Sequence, residues 1–266
     1  MSAKTIRIHL GAHKTASTYL QETLALNINA RAAAGLVYTP RADFRPFAST
    51  MINQRKVRQY SRFAKFKARL FEPGADVIAQ MQELFAIPYD VTVSEENLLG
   101  EAQDCFAGAL YPHAATYLND LAKSLPDHSV EIFMAVRSYP TFLSSLYAEG
   151  LKNGMILPPE KAREMQESIA GEWPRLIALI RSIFPAAKII VWRYEDFARV
   201  QDDVLARLSG VARADLAKPS EADILPSPSA LVIETYLKEA PAMSRPARRI
   251  HMRALRARLA HTAPSP

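Results

Sequence analysis

The stretch that decides the fold reads TIRIHLGAHKTASTY and spans residues 5–19. Its first part, TIRIHL, is a short β-rich run that stops at Gly11, and apolar residues at helical spacing begin near Ser17. A turn that holds Lys14 and several hydroxyl side chains joins the two. A strand, a turn and a helix in this order predict the opening unit of a parallel α/β sheet.

Strands and helices continue to alternate along the chain. Further strands are predicted at 36–39, 90–94, 130–136 and 188–193. Helices are predicted at about 17–34, 76–86, 113–124, 141–152 and 160–184, with Pro174 as a point where the last can bend. Residues 40–75 are polar, basic and aromatic with weak periodicity, which predicts an insertion over one end of the sheet.

Short apolar strands between helices predict a parallel sheet covered on both faces. The expected fold is therefore α/β, a three-layer α/β/α sandwich with a central parallel sheet. We interpret residues 1–266 as one domain, with a core at about 4–200 and a helical C-terminal extension at 201–261.

The composition is that of an ordinary globular protein: 266 residues, 49% hydrophobic and 23% charged. One cysteine, Cys105, excludes an internal disulfide framework and a cysteine-based zinc cluster. The sequence shows neither a signal-peptide pattern nor a run of about 18 apolar residues. A cytoplasmic location is the expectation that follows.

The net charge of +6 is unevenly distributed. Residues 55–69 carry seven basic side chains and residues 245–258 carry six, and neither segment contains an acid. The rest of the chain is acidic. The first segment, with its interleaved aromatics, is typical of an acceptor-binding flap for an acidic or carbohydrate substrate, of a nucleic-acid surface, or of a solvated helix face. We favour the solvated face, expect no nucleic acid, and leave peripheral membrane contact and the oligomeric state open.

The first turn has the chemistry of a phosphate site. Ligands of parallel sheets bind beyond the carboxyl ends of the strands, and the backbone N–H groups at a helix start attract anions. Lys14 adds a cation, and Thr15, Ser17 and Thr18 add hydroxyl donors. The G-x-x-x-x-G-K-S/T pattern is absent, because no glycine precedes the lysine. The alternative is that Ser17 or Thr18 caps the helix while Lys14 is solvated.

The segment HLGAHKTASTYLQ resembles the K-T/S-G-S/T-S/T turn of sulfotransferases that use 3′-phosphoadenosine 5′-phosphosulfate (PAPS). In that family the turn wraps the 5′-phosphosulfate, and the fold is P-loop NTPase-like. The resemblance implies that the same group is held here by Lys14, Thr15, Ala16, Ser17, Thr18 and Tyr19. Ala16 replaces the usual glycine. If this position needs a left-handed backbone, alanine costs on the order of 1 kcal/mol and cofactor affinity is affected.

A second match, FMAVRSYPTFLSSLYAEGL, lies at residues 133–151. The resemblance implies that Arg137, at a strand end, and Ser145 bind the 3′-phosphate of the cofactor. An arginine fork can hold two phosphate oxygens at once. The alternatives are a salt bridge for Arg137 and a polar helix face for Ser145, with Ser144 as the substitute if the register differs. We read Tyr194-Glu195-Asp196, a weaker match, mainly as a helix start.

Transfer to an acceptor needs a base that takes the acceptor's proton. Lys14 is the candidate for the other catalytic role, which is to neutralise the charge that develops on the leaving oxygen. The run Ser94-Glu95-Glu96-Asn97 resembles an S-x-E segment of bacterial sulfotransferase-like proteins, which favours Glu96 over Glu95. His13 is the competing base because an ordinary histidine titrates near pH 6.5. Both glutamates can instead cap the next segment or pair with arginines. No metal is expected.

The predicted function is transfer of a sulfonate from PAPS to a hydroxyl or amine of a small-molecule, carbohydrate or lipid acceptor. Two alternatives from other classes stay open. A P-loop-like phosphotransferase would share the sheet and the first turn but would need Mg²⁺ ligands. A non-catalytic nucleotide-binding protein of the same fold is the second. The family's K-G-x-x-G-x-W segment is missing, and residues 245–258 are the candidates for closing over the nucleotide.

Overall fold

The structure is a computed structural model that describes residues 4–59, 77–220 and 228–259. Five parallel strands form one sheet in the order β2-β3-β1-β4-β5. Their bounds lie close to the predicted ones: β1 Thr5–Gly11, β2 Leu36–Thr39, β3 Asp90–Ser94, β4 Ser129–Val136 and β5 Lys188–Arg193.

Helices connect the strands and extend the chain beyond the last one. In chain order they are α1 Ser17–Leu26, α2 Ile28–Ala33, α3 Arg41–Gln59, α4 Val77–Ala86, α5 Ala114–Ser124, α6 Tyr139–Lys152, α7 Pro159–Ser168, α8 Glu172–Ile183, α9 Phe197–Ser209, α10 Ala230–Glu239 and α11 Arg245–Leu259. Short 3₁₀ turns follow β3 and β5, at Glu96–Leu98 and Tyr194–Asp196.

The sheet has a helical layer on each face. Alternate residues of β1, Ile6 and Ile8, are buried in a cluster with side chains of α3, α4, α5 and α8. On the other face, Phe133 of β4 is buried in a second cluster with side chains of α1 and α9, among them Leu20 and Leu205. Apolar area removed from water on both faces stabilises the sheet. The predicted three-layer α/β/α architecture is confirmed.

The predicted helix at 17–34 is two helices, because the chain breaks at Asn27. The Asn27 side chain donates to the carbonyl of Ala217 at 2.8 Å and accepts from its N–H at 2.9 Å. Asparagine readily leaves helical geometry when its amide can bond backbone elsewhere. Asn27 thus ties α1 to the chain after α9.

The predicted helix at 160–184 is also two helices. Gly171, in the left-handed conformation at φ +80°, separates α7 from α8. Pro174 lies in the first turn of α8, where its missing N–H removes no helical hydrogen bond, so the break between the two helices falls at Gly171 and not at Pro174.

The insertion predicted at 40–75 begins with a 19-residue helix, α3, which the weak periodicity of the sequence did not reveal. Phe44, Ala48, Met51 and Ile52 recur at helical spacing and are buried against the sheet. Pro46 and the high polarity of the segment hide this pattern in the sequence. The rest of the insertion and most of the basic segment 55–69 lie outside the described residues.

The helical extension begins later than predicted. Helix α9, which starts at Phe197, is part of the second layer and belongs to the core. Helices α10 and α11 pack instead on α6, in a third cluster that includes Leu151, Tyr236, Met252 and Leu255. Within the described ranges no helix has the length and hydropathy needed to cross a membrane.

Candidate functional site

Helix α1, which follows the turn after β1, begins without a side-chain N-cap. Ala16 is the N-cap of α1, and no side chain accepts a hydrogen bond there. The alternative that Ser17 or Thr18 caps this helix is therefore wrong. Because the first amides of a helix have no intrahelical partner, the N–H groups of residues 17–19 are left to bind a ligand or water.

Two residues of the turn adopt a left-handed backbone although neither is glycine. Lys14 has φ +64° and Ala16 has φ +65°. This conformation costs a residue with a Cβ about 1–2 kcal/mol. Ala16 thus occupies a position where glycine is the favoured residue, as its replacement of the family glycine suggested. Strain of this kind recurs at ligand-binding turns.

The hydroxyl groups of the turn are used unequally. Thr15 Oγ1 donates to the Ala12 carbonyl at 2.6 Å, and Ser17 Oγ donates to the same oxygen at 3.3 Å. Both side chains are buried, so in this structure they shape the turn rather than point outward. Thr18 is exposed. Tyr19 packs its ring edge-on against Phe197.

Lys14 is not simply solvated, because its Nζ lies 3.3 Å from Glu149 Oε2 of α6. Lys152 Nζ lies 3.2 Å from the same oxygen. Burial acts to raise the pKa of Glu149, but the two ammonium groups outweigh it and hold that pKa below its usual range. The carboxylate of Glu149 is therefore a fixed negative charge beside the turn.

Arg137 is joined to the same turn. Its Nη1 donates to the Lys14 carbonyl at 2.6 Å, its Nε donates to Thr141 Oγ1 at 3.1 Å, and its Cζ lies 4.2 Å from the ring centre of Tyr194. The backbone carbonyl of Arg137 accepts from Trp173 Nε1 at 2.8 Å. Its fixed contacts are thus with a carbonyl, a hydroxyl and an aromatic ring, and the salt bridge considered for this strand end is not found among the described residues.

Ser145 is half-buried on α6, one helical turn before Glu149. Residues four apart on a helix share a face, so Ser145 lies on the side of α6 that meets the turn. Ser144 is exposed and donates its hydroxyl to the Pro140 carbonyl at 2.8 Å. The geometry favours Ser145 over Ser144. Its role toward a 3′-phosphate stays a prediction.

The Tyr194-Glu195-Asp196 segment does more than start a helix. Asp196 is the N-cap residue of α9, as predicted, while the ring of Tyr194 lies under Arg137. Glu195 Oε1 accepts from the Ser138 N–H at 2.8 Å. Partial burial acts to raise the pKa of Glu195, but this hydrogen bond leaves that pKa below its usual range. The segment therefore positions Arg137, a role that the sequence analysis missed.

The two candidate glutamates have different surroundings. Glu95 is fully buried and accepts from Arg45 Nε at 2.9 Å, from Arg45 Nη2 at 3.0 Å and from the Asn97 N–H at 3.0 Å. That bonding makes Glu95 a structural residue. Glu96 lines an open cavity, with Arg45 Nη2 at 3.5 Å from its Oε1. Among the two, Glu96 is the one that can reach a ligand.

His13 lines the same cavity, but both of its ring nitrogens are engaged. Its Nδ1 lies 3.0 Å from the Tyr111 hydroxyl, and its Nε2 lies 3.2 Å from Asn97 Oδ1. The His13 N–H also donates to the Tyr111 hydroxyl at 2.8 Å. Burial raises the pKa of Tyr111 well above its usual range, so that hydroxyl stays protonated. These bonds suit His13 to hold the turn and leave Glu96 better placed as the base.

The sequence analysis missed several residues that the fold brings to the site. Glu149 could have been found, since it lies one helical turn after Ser145 in the quoted motif. Arg45 also went unnoticed, and it lines the cavity together with Arg245 and Arg249 of the basic segment 245–258. In the described part of the chain, no group of three or more His, Cys, Asp or Glu side chains could hold a metal ion.

No protein-family model and no curated protein matches this sequence. Among solved structures, the chain is similar to a sulfotransferase from Alicyclobacillus acidocaldarius, with 15% identity, a TM-score of 0.43, and coverage of 94% of this chain and 95% of that one. It is also similar to a retinol dehydratase in complex with androsterone and the inactive cofactor PAP, with 11% identity, a TM-score of 0.33, and coverage of 82% of this chain and 61% of that one. The activities and ligands in these descriptions belong to those two proteins.

Proposed function

We propose that this chain is a sulfotransferase that takes the sulfonate group of PAPS and transfers it to a hydroxyl or amine of an acceptor. One observation carries the proposal: Arg137, at the end of β4, is hydrogen-bonded to the backbone of Lys14 at the uncapped start of α1. Two cationic residues from neighbouring strand ends therefore meet at the uncapped N-terminus of one helix.

Such a site suits a ligand with more than one anionic group. The helix amides and Lys14 are enough for a single phosphate. Arg137 adds a planar guanidinium group, which is held by the Tyr194 ring and by Thr141 Oγ1 and can receive a second phosphate. PAPS carries two such groups, a 5′-phosphosulfate and a 3′-phosphate. The residues present thus fit this co-substrate.

The chain's own groups then have distinct roles. PAPS supplies the activated sulfonate. Lys14 and the free amides of α1 neutralise the charge that develops on the phosphate oxygen as its bond to sulfur breaks. Glu96 accepts the proton of the acceptor as the acceptor's oxygen or nitrogen bonds to sulfur. Arg45 Nη2, 3.5 Å from Glu96 Oε1, orients this carboxylate at the cavity wall.

The proposal is tested by calorimetry with 3′-phosphoadenosine 5′-phosphate (PAP), the product that retains both phosphates. We expect PAP to bind the wild type, and Lys14→Ala and Arg137→Ala each to weaken binding by about 10- to 100-fold, since each removes a charge-assisted contact. Lys123→Ala is the matched control. Lys123 is an exposed cation in the last turn of α5, just before β4 begins at the opposite edge of the sheet.

Two further measurements separate the alternatives. A larger thermal shift with ATP and Mg²⁺ than with PAP would favour a phosphotransferase, and absence of PAP binding would rule out the proposed function. Glu96→Gln should leave PAP affinity unchanged, because this carboxylate acts on the acceptor. A large loss of PAP affinity in Glu96→Gln would place Glu96 in the nucleotide site instead.

A further inference from the structure

A cavity of about 500 Å³ adjoins the proposed base, and its wall is strongly polar. Of the described residues that line it, only Ala102 and Pro246 are nonpolar. Sites for small apolar ligands are ordinarily lined by hydrophobic and aromatic side chains. This wall instead offers side-chain amides, from Asn97, Gln103 and Asn153, which pair with hydroxyl groups. The cavity therefore suits a hydroxyl-rich acceptor.

The carboxylates of this wall already have partners within the protein. Glu149 is paired with two lysines, as described above, and Glu96 faces Arg45. Glu101 Oε2 accepts from Gln103 Nε2 at 3.1 Å. Arg45 is shared with buried Glu95, and the Gln103 group that donates to Glu101 is a neutral amide.

The arginines that α11 adds to the wall are not balanced in this way. Arg245 donates its Nε to the Asn153 carbonyl at 3.2 Å, which is a neutral group. Arg249 is exposed, and none of the side chains in the described ranges forms an ion pair with it. The arginines of the wall that form no ion pair within the described ranges are therefore the two from the first turns of α11.

These arginines are fixed over the cavity by the way α11 docks. Gly154, at φ +74°, lets the helix approach so closely that a Cβ there would lie 2.5 Å from the Arg245 carbonyl oxygen and 3.2 Å from Arg249 Cγ. Further along α11, Met252 and Leu255 are buried in the cluster shared with α6 and α10. The helix backbone that carries the two arginines is therefore anchored at both ends.

We infer that the acceptor is an acidic saccharide, whose carboxylate or sulfate group is bound by Arg249 and Arg245 while one of its hydroxyls reaches Glu96. The inference rests on the proposed function for the identity of the cavity as the acceptor site. It makes Arg249 the residue that selects acidic over neutral saccharides, through a charged contact in addition to the hydrogen bonds of the amide side chains.

The test compares two saccharides that differ only in carrying carboxylate or hydroxymethyl groups at the same positions. Binding of trigalacturonic acid and of its carboxyl-reduced neutral counterpart is measured by calorimetry, with and without saturating PAP. We expect the acidic trisaccharide to bind at least about tenfold more tightly, with an affinity that falls as salt is added. Arg249→Ala should remove most of this preference and Arg249→Glu should abolish it. Arg253→Ala and Arg253→Glu are the controls, because exposed Arg253 lies one turn further along α11 and does not line the cavity.

The outcomes distinguish this inference from the proposed function. Equal affinity for the two trisaccharides, equal effects of the Arg249 and Arg253 variants, or no binding of either trisaccharide to a protein that binds PAP would overturn the inference. Failure of PAP to bind would instead remove the proposed function. An Arg249-dependent preference for the acidic trisaccharide would then still support an acidic-saccharide site.

Discussion

Gly11→Ala should destabilise the protein and distort the site, because Gly11 is where the turn and Glu96 come together. The backbone at Gly11 has φ +78°, and a Cβ there would lie 2.8 Å from Glu96 Cβ, 3.1 Å from Glu96 Cα and 3.2 Å from Ser17 Oγ. The left-handed conformation costs alanine about 1–2 kcal/mol. Overpacking against a strand end adds about 1–3 kcal/mol.

Gly35→Ala is the matched control for the free-energy cost of the left-handed backbone. Gly35 has φ +70°, and nothing lies within 4 Å of a Cβ built there. Its substitution should cost only the left-handed backbone, about 1–2 kcal/mol. Any gain from stiffening the unfolded chain is common to both variants, so the difference between them isolates the contact with Glu96 and Ser17.

The free energy of unfolding is measured by urea unfolding, with the same dependence on urea concentration for both variants, and is supported by thermal melting. Gly11→Ala should lower the free energy of unfolding by about 1–3 kcal/mol more than Gly35→Ala. For a protein of this size each kcal/mol corresponds to about 2–4 °C in Tm. Gly11→Ala should also weaken PAP binding, and Gly35→Ala should not. Equal losses of stability in the two variants would refute the argument that Gly11 is required by the approach of Glu96.

Three further predictions concern the turn and its support. Ala16→Gly should raise the free energy of unfolding by up to about 1 kcal/mol, as relief of the left-handed strain exceeds the entropy gained by the unfolded chain; a decrease in urea unfolding would contradict this. Arg45→Ala should destabilise the protein by about 3–5 kcal/mol, because it leaves the buried Glu95 carboxylate unpaired, and adding Glu95→Gln should restore part of the loss. Burial lowers the pKa of His9 to about 4. Between pH 6.5 and 4 the unfolded chain therefore protonates this histidine while the folded protein does not. The free energy of unfolding should fall by about 3 kcal/mol as the pH falls through this window. His9→Gln should flatten that slope, whereas the same change at exposed His128 should not.

The strands and the first turn could be predicted because their signals are local. TIRIHL and its successors are apolar runs bounded by turn residues, and β1, β2 and β3 lie within a residue of the predicted ranges. Ala16 could be flagged as strained from its place in a family pattern, and its φ of +65° agrees. The local sequence pattern did not predict α3, because its many polar residues and Pro46 hide the apolar face that it buries.

The cavity could not be predicted, because it depends on how distant segments pack. Burial of the apolar face of α3 brings Arg45 to Glu95. The close approach of α11 to Gly154 brings Arg249 to the cavity. Nothing near either residue in the sequence indicates these partners. The basic segment 245–258 was a candidate for closing over the nucleotide, and its first turns line the cavity that Glu96 also lines.

The ion pairs of Glu149 with two lysines explain how Lys14 can be oriented by a carboxylate and still be available to an anion. An ion pair between a lysine and a half-buried carboxylate would compete with any phosphate for that lysine, since separating the pair leaves the carboxylate without a partner. Here Lys152 lies as close to Glu149 as Lys14 does, at 3.2 Å against 3.3 Å. If Lys14 turned to an anion, Glu149 would keep a cation on its own helix. The second lysine thus lowers the free-energy cost of releasing the first. Helix α6 supplies both the carboxylate that orients Lys14 and the lysine that allows Lys14 to leave it.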